Sequence, residues 1–331
     1  VRFLAGPSQK SPPSSNPLPF VTIVTACYNE SANVERKVND LFTTDYPADR
    51  MTVLFVDNES TDDTKARLDA LANKFPIRVI GSPRGKISAL NAALPAAQGD
   101  IVVSTDCDAW WEPGSLRALI GAFCDPSVGA ACALPVIHGP LYPSKARYHA
   151  ADFEVRRLEG ELDACTVLDG RLMAFRRNAL ERFDESLGID DMGLSLSLRR
   201  KGLRSVVVPG AFIHENCQAT AAGEFAQIRR HVHSVIVCLW GGREVLFNPR
   251  FGFYGLVAMP SHCLMPVFLP LIFMLMGLSL WNISPFVAMA AAVLSAGITI
   301  FVDPFPALQA AAIAAAWGDF LGGRRADVWS R

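Results

Sequence analysis

Apolar and polar positions alternate in a recognisable rhythm from Phe20 onward. Val21-Thr22-Ile23-Val24-Thr25 is a β-branched run that predicts a strand. Val34, Val38 and Leu41 then share one helical face. A second strand, Thr52-Val53-Leu54-Phe55-Val56, ends at Asp57, and Thr61 or Asp62 caps a helix carrying Leu68 and Leu71. Ile77–Ile80 predicts a short strand and Ser88–Ala97 a helix rich in Ala and Leu. Ile101-Val102-Val103-Ser104 is a nearly continuous apolar run, as in a sheet covered on both faces. This β-α-β-α-β order predicts an α/β fold with a doubly wound, mostly parallel sheet. Ligands of such sheets bind beyond the carboxyl ends of the strands, where Asp57 and Asp106 fall. Beyond Gly129 the strand signals turn irregular, which fits a mixed-sheet second half up to about residue 217. Residues 223–250 read as helix plus a basic segment with Arg229, Arg230, Arg243 and Arg250.

Charge sharpens the division. The 331 residues hold 31 Lys+Arg and 32 Asp+Glu, a net charge of -1, which argues against a nucleic-acid protein that works through a positive field. Half the residues are hydrophobic, enough for a packed core. Charged residues are only 19% and mean hydropathy is +0.24. No Lys follows Lys201, no Glu follows Glu244, and the 52 residues from Phe251 through Val302 carry no charge. A bilayer span needs about 20 apolar residues, so this block has room for two. Met265–Leu280 and Pro285–Val302 are the expected spans, with Pro260, Pro266 and Pro270 bending the approach. Ala307–Leu321, which contains Gln309 and Asp319, reads as an interfacial helix. Arginines before the block, and Arg324 and Arg325 after it, favour both ends on the cytosolic side of a cell membrane, as a multi-pass arrangement. The eight cysteines show neither C-x-x-C nor a disulfide framework, which fits a reducing compartment. Residues 1–19 have a Ser/Pro-rich linker composition, and nothing there reads as a signal peptide.

Five constellations carry candidate chemistry. Asp106-Cys107-Asp108 follows a buried strand, and two carboxylates so spaced can share Mg²⁺ or Mn²⁺. A carboxylate at Asp57 can accept hydrogen bonds from a nucleoside, while Asp62 has the position of a helix cap. Gly85-Lys86 precedes a helix N-terminus and can approach phosphates, without the rest of a P-loop. Asp190-Asp191 precedes a helix with Leu194 and Leu198; one carboxylate can serve as general base while the other caps. Gln227-Ile228-Arg229-Arg230-His231 offers either a guanidinium fork for a diphosphate or a basic face at a membrane.

In this order, these residues resemble the family-2 inverting glycosyltransferases of GT-A fold. They are most similar to the membrane-integrated branch of cellulose, chitin, hyaluronan and poly-N-acetylglucosamine synthases. Val24–Glu30 is similar to the family's opening strand and Y-N-E turn, with Ala26-Cys27 in place of Pro-Ala. Val56–Asp62 resembles V-D-D-G-S-T-D, and Gly85–Asn91 matches G-K-x-x-A-L-N. Asp106 and Asp108 match the D-x-D, and Asp190-Asp191 the E-D of the base. Gln227, Arg230 and His231 match Q-x-x-R-W with His for Trp, a departure that bears on processive chain extension. Trp329-Ser330-Arg331 resembles the branch's W-x-x-R tail. The resemblance implies sugar transfer from a nucleoside diphosphate, most often UDP. It implies Tyr28, Glu30, Asp57, Lys86 and Asp106 at the nucleotide. Asp106 and Asp108 would hold Mg²⁺ or Mn²⁺, with His214 a weaker candidate ligand. Asp191 would be the base, and Gly170, Arg171, Asp190, Gln227, Arg230 and His231 would serve the acceptor and diphosphate.

The expected partition is a linker at 1–19, a GT-A catalytic domain at 20–222 and basic juxtamembrane helices at 223–255. Transmembrane or interfacial helices at 256–322 and a cytosolic tail at 323–331 complete it. Expected partners are the donor, a glycan or lipid acceptor and the bilayer, with no nucleic acid. Two alternatives stand beside synthesis of a glycan or glycolipid: transfer of one sugar to a polyprenyl phosphate or lipid, and a non-catalytic subunit of a synthase complex. A nicotinamide enzyme is disfavoured, because no G-x-G-x-x-G follows the first strand.

Overall fold

The computed structural model describes residues 18–139, 143–188, 190–217, 220–263, 269–287, 289 and 305–323. The strands are β1 (Val21–Cys27), β2 (Met51–Asp57), β3 (Ile77–Gly81), β4 (Ile101–Thr105), β5 (Trp110–Trp111), β6 (Val128–His138), β7 (Leu172–Arg176) and β8 (Arg204–Asn216). They form one sheet in the order β3-β2-β1-β4-β7-β6-β8-β5. β3, β2, β1 and β4 are mutually parallel, as the alternating pattern predicts. β7 then runs antiparallel to β4 and to β6, β8 runs parallel to β6, and β5 pairs antiparallel with β8. The second half is therefore mixed.

Every residue of β1 and β4 is buried, and all but Ser104 are apolar or β-branched, as a strand covered on both faces requires. The chain winds from β1 outward to β3 and returns to β4 on the other side of β1. That reversal opens a crevice at the carboxyl ends of β1 and β4. At the opposite end of these strands the packing is tight at Gly99. A Cβ there would lie 2.5 Å from the Phe20 carbonyl oxygen. Helix α1 (Val34–Phe42) buries Val34, Lys37, Val38 and Leu41, and α2 (Thr64–Ala72) buries Leu68 and Leu71. The N-cap position of α2 is Asp63, one residue after the expected Asp62, which instead accepts from the Thr64 N–H at 3.0 Å from just before the helix. Helix α3 spans Lys86–Ala93, earlier than the predicted Ser88–Ala97, and a 3₁₀ turn over Leu94–Ala96 ends it. Gly85 starts it at φ +127°, and Pro95 supplies no N–H to continue an α-helical ladder. Further helices are α4 (Ser115–Gly121), α5 (Pro143–Leu162), α6 (Asp191–Arg200) and α7 (Ala221–Gly241).

The chain divides into two compact units, residues 1–138 with 156–216, and 139–155 with 217–331. The sheet belongs entirely to the first. In the second, the Thr220 hydroxyl caps α7 by accepting from Gly223 N–H at 3.1 Å. The helix Phe305–Leu321 packs on α7, with Ile313 and Ala316 against Val232 and Ile236. Arg229 grips Asp319 there with two hydrogen bonds of 2.6 and 2.7 Å.

The expected membrane helices fare differently. Among the described residues no helix is long and apolar enough to cross a membrane. The helix Leu269–Ile283 overlaps the first expected span but has 15 residues, against about 20 for a bilayer core. It exposes Leu275, Met276, Leu278 and Trp281. Residues 265–268 of that span, most of Pro285–Val302, the basic pair Arg324-Arg325 and the Trp329-Ser330-Arg331 tail lie outside the described residues. The expectation of C-terminal membrane helices is thus unsupported by helix length.

Candidate active site

The crevice beyond β1 and β4 collects charged side chains from loops far apart in sequence. Its hub is Lys86, the first residue of α3. The ammonium lies 2.8 Å from Asp106 Oδ1 and 3.0 Å from Asp190 Oδ2, and donates to the Gly170 carbonyl at 3.1 Å. Burial disfavours its charge, but the two carboxylates outweigh that, and its pKa is raised. Gly170 makes the convergence possible. A Cβ there would stand 3.2 Å from Lys86 Nζ and 3.3 Å from Asp190 Oδ2. So the Gly-Lys, D-x-D and Asp-Asp motifs, with Gly170, meet at one ammonium.

Asp191 opens α6, whose Leu194 and Leu198 are buried in the predicted manner. Its Oδ1 accepts from the Met192 N–H at 2.5 Å. Burial first, and the neighbouring charge of Asp190 second, raise its pKa from 3.8 to about 7. A carboxylate so tuned exchanges protons near neutral pH, as a general base must. Ile189 lies outside the described residues.

The ends of β1 and β2 form a second wall. Asp57 is buried, and its Oδ1 has no hydrogen-bond partner among the described residues. A buried orphan acceptor at a strand end fits a ligand that brings a donor, such as a nucleobase. The ring of Tyr28 lies under the Arg84 guanidinium at 4.6 Å. Glu30 is buried and receives Asn33 Nδ2 at 2.6 Å, while its N–H donates to Thr64 Oγ1 at 2.7 Å. Asn29 and Glu59 hold positive φ values of 56° and 57° on facing turns, and Asn29 Oδ1 accepts from the Thr61 N–H at 2.8 Å. Asn58, absent from the sequence-based site, donates to Ser82 Oγ and to the Gly85 carbonyl at 2.9 Å each. It thereby fixes the loop that delivers Lys86.

The D-x-D turn has a third acidic neighbour. Burial raises the pKa of Glu215, Arg171 opposes this, and the charges of Asp108 and Asp106 raise it further. Arg171 itself is engaged by Asp169 and Glu215, each at 2.6 Å. His214 faces elsewhere: its Nδ1 is 2.8 Å from His138 Nε2, and its Nε2 is 3.2 Å from Glu112 Oε1. Adjacent β8 residues point to opposite faces, so Glu215 and not His214 joins the carboxylates. Among the described residues no group of three or more His, Cys, Asp or Glu is arranged to hold a metal ion alone. The donor set still fits one. Mg²⁺ typically takes one or two carboxylates and completes its shell with water and substrate phosphates. Asp106 and Asp108 supply such a pair, with oxygen donors only.

Gln227, Arg230 and His231 lie on α7 in the second unit, and the other expected residues lie in the first. Sequence reading passed over Asn58, Glu215 and Lys37. Only strand parity at Glu215, and a charge on an apolar helix face at Lys37, could have signalled the last two.

Residues 22–183 match the family model described as Glycosyl transferase family 2. The chain is 37% identical over 141 residues to a beta-monoglucosyldiacylglycerol synthase of Synechocystis sp., which is 39% of this chain and 29% of that protein. It is 24% identical over 257 residues to a poly-beta-1,6-N-acetyl-D-glucosamine synthase of Staphylococcus aureus, or 74% of this chain and 60% of that one. The chain thus spans less than two thirds of either relative. A mannosyltransferase from Pyrobaculum calidifontis, solved in complex with GDP-Man and Mn2+, superposes with a TM-score of 0.67 at 23% identity. The match covers 92% of this chain and 87% of that one. That likeness identifies the architecture as GT-A-like: α/β with a mixed sheet.

Proposed function

We propose that the chain is an inverting glycosyltransferase that passes a sugar from a nucleoside diphosphate sugar, most simply a UDP-sugar, to a glycan or glycolipid acceptor at a membrane. One observation carries this reading. Lys86 bridges the D-x-D turn to the Asp190-Asp191 pair, bringing a phosphate-side group and a base of suitable pKa into one crevice. The family-2 match over 22–183 and the two relatives named as sugar-transferring synthases support it.

In this mechanism Asp57 accepts a hydrogen bond from the nucleoside, and Tyr28 lines the same wall. Asp106 and Asp108 would hold Mg²⁺ or Mn²⁺, which supplies Lewis-acid stabilisation of the departing diphosphate. Asp191 takes the proton of the acceptor hydroxyl. The acceptor oxygen then bonds the anomeric carbon from the face opposite the phosphate, whose C–O bond breaks, and the configuration inverts. Lys86 keeps Asp190 and Asp106 in place, and its positive charge favours negative charge building on the leaving group.

Transfer of a single sugar to a lipid is the second reading. Its support is the more identical relative, whose name specifies a diacylglycerol product, together with His231 in place of Trp. The non-catalytic alternative is disfavoured by the intact Asp106, Asp108 and Asp191. The bilayer partner is supported by the charge-free block at 251–302 and the exposed apolar side chains of Leu269–Ile283, and the cytosolic side for the catalytic unit by the arginines on both flanks of that block. A panel of nucleotide sugars with Mg²⁺ or Mn²⁺, read as nucleotide release, tests the activity. Mass spectrometry of the product separates one added sugar from many. No release with any donor would overturn the enzymatic reading.

A further inference from the structure

Helix α1 reaches the D-x-D turn and the short strand β5 after it with three side chains from two successive turns. Lys37 is 1% exposed. Its ammonium donates to Thr105 Oγ1 at 2.8 Å and to the Ala109 carbonyl at 2.8 Å, the two residues that bracket Asp106-Cys107-Asp108. The ring of Trp111 lies 5.0 Å away. Arg36 donates to the Asp108 carbonyl at 2.8 Å and stacks on Trp110 at 5.1 Å. Asp40, the next turn along, accepts a hydrogen bond from the backbone of Trp111. Thr105 hands the support onward, donating to the Arg171 carbonyl at 2.9 Å.

Packing alone does not explain a lysine at position 37. Its neighbours on the buried face are Val34, Val38 and Leu41, and an apolar residue would fill that place without desolvating an ammonium. What the lysine adds is a fixed point at each end of the turn. We propose that Arg36, Lys37 and Asp40 are positioning residues that hold Asp106 and Asp108 at the spacing that grips a divalent cation. This rests on the reading of those two carboxylates as metal ligands. It adds a device that acts through the turn's backbone and through Thr105, and touches neither carboxylate.

The test uses the full chain and Mn²⁺ alone, with free Mn²⁺ read by electron paramagnetic resonance and folding followed by thermal unfolding. Lys37→Met and Thr105→Val should each weaken Mn²⁺ binding by about tenfold, because each removes two of the hydrogen bonds that pin the turn. Thr105→Val leaves every charge in place, and with Arg36→Gln it carries the test if Lys37→Met does not fold. Arg176→Met is the control. That guanidinium donates to the Val128 and Phe123 carbonyls at 2.8 Å each, at the other end of β7, so its loss should lower the melting temperature and leave Mn²⁺ affinity unchanged. Parental affinity in Thr105→Val and Arg36→Gln overturns the proposal. So does tighter binding in Lys37→Met, since charge repulsion would then outweigh pinning. Parental Mn²⁺ binding that survives Asp106→Asn and Asp108→Asn removes the metal reading, and this inference with it.

Discussion

Asp191 gives the sharpest test of the mechanism. Burial and the charge of Asp190 raise its pKa from 3.8 to about 7, while the Met192 N–H, Arg156 and Lys86 pull the other way without cancelling them. The base form is therefore about one site in eleven at pH 6 and about one in a hundred at pH 5. kcat/KM should fall about tenfold per pH unit below 7. An unperturbed aspartate would leave the profile flat down to about pH 5. Nucleotide release at sub-saturating donor, measured from pH 5 to 9, reads the difference. Asp191→Asn should lower turnover by about 10²–10⁴-fold, abolish the acid limb and leave donor binding intact. Asp190→Asn should move the limb to lower pH, because it removes the like charge beside Asp191. Stability follows with a definite sign. The folded chain holds more protons than the unfolded one between pH 3.8 and about 7, so Asp191 lowers stability progressively as pH rises through that window. Three pH units correspond to about 4 kcal/mol, so Asp191→Asn should be more stable than the parent at pH 8 by up to that amount. A flat rate profile between pH 5 and 8, or near-normal turnover in Asp191→Asn, would refute the assignment.

Three further outcomes are expected. Gly170→Val places carbon between Lys86 and Asp190, so kcat should drop about tenfold or more while the melting temperature changes little; parental kcat would remove the hub from the mechanism. Phe175, fully buried and edge-on to Phe183 at 5.4 Å, should cost about 3–5 kcal/mol in urea unfolding when changed to alanine, and a cost under 1 kcal/mol would contradict the packing. The full chain should float with phosphatidylglycerol-containing vesicles, and Leu275→Asp should weaken flotation, since a charge at the centre of a membrane helix costs about 2.5–3.5 kcal/mol. A parent chain that stays at the bottom of the gradient would sink the membrane reading.

The parallel half of the sheet and the D-x-D turn were legible because their signals are local. An apolar run ending in a carboxylate marks a strand and a candidate site position in the same few residues, as at Val56-Asp57 and Thr105-Asp106. Glu215 and Lys37 were not legible, because their meaning is tertiary. Glu215 depends on which face of β8 meets Asp106, and His214 next to it was the more conspicuous residue. Lys37 looks like a surface charge until α1 is laid against the turn. The antiparallel insertion of β7 beside β4 likewise depends on pairing across about 70 residues, which no short-range pattern encodes. The assignment of 139–155 to the second unit is of the same kind, since α5 runs unbroken through the boundary.

The strand order also bears on how the protein is born. β4 ends at Thr105, and the strand that covers its outer edge begins at Leu172. A ribosome adding roughly 5–20 residues per second needs on the order of 3–13 s to supply the residues between them. Throughout that interval the nascent chain presents a largely apolar strand with an unpaired edge, an arrangement prone to pairing with another chain. Translation speed and chaperone access between residues 105 and 172 should therefore govern the yield of soluble protein more than substitutions elsewhere in the sheet.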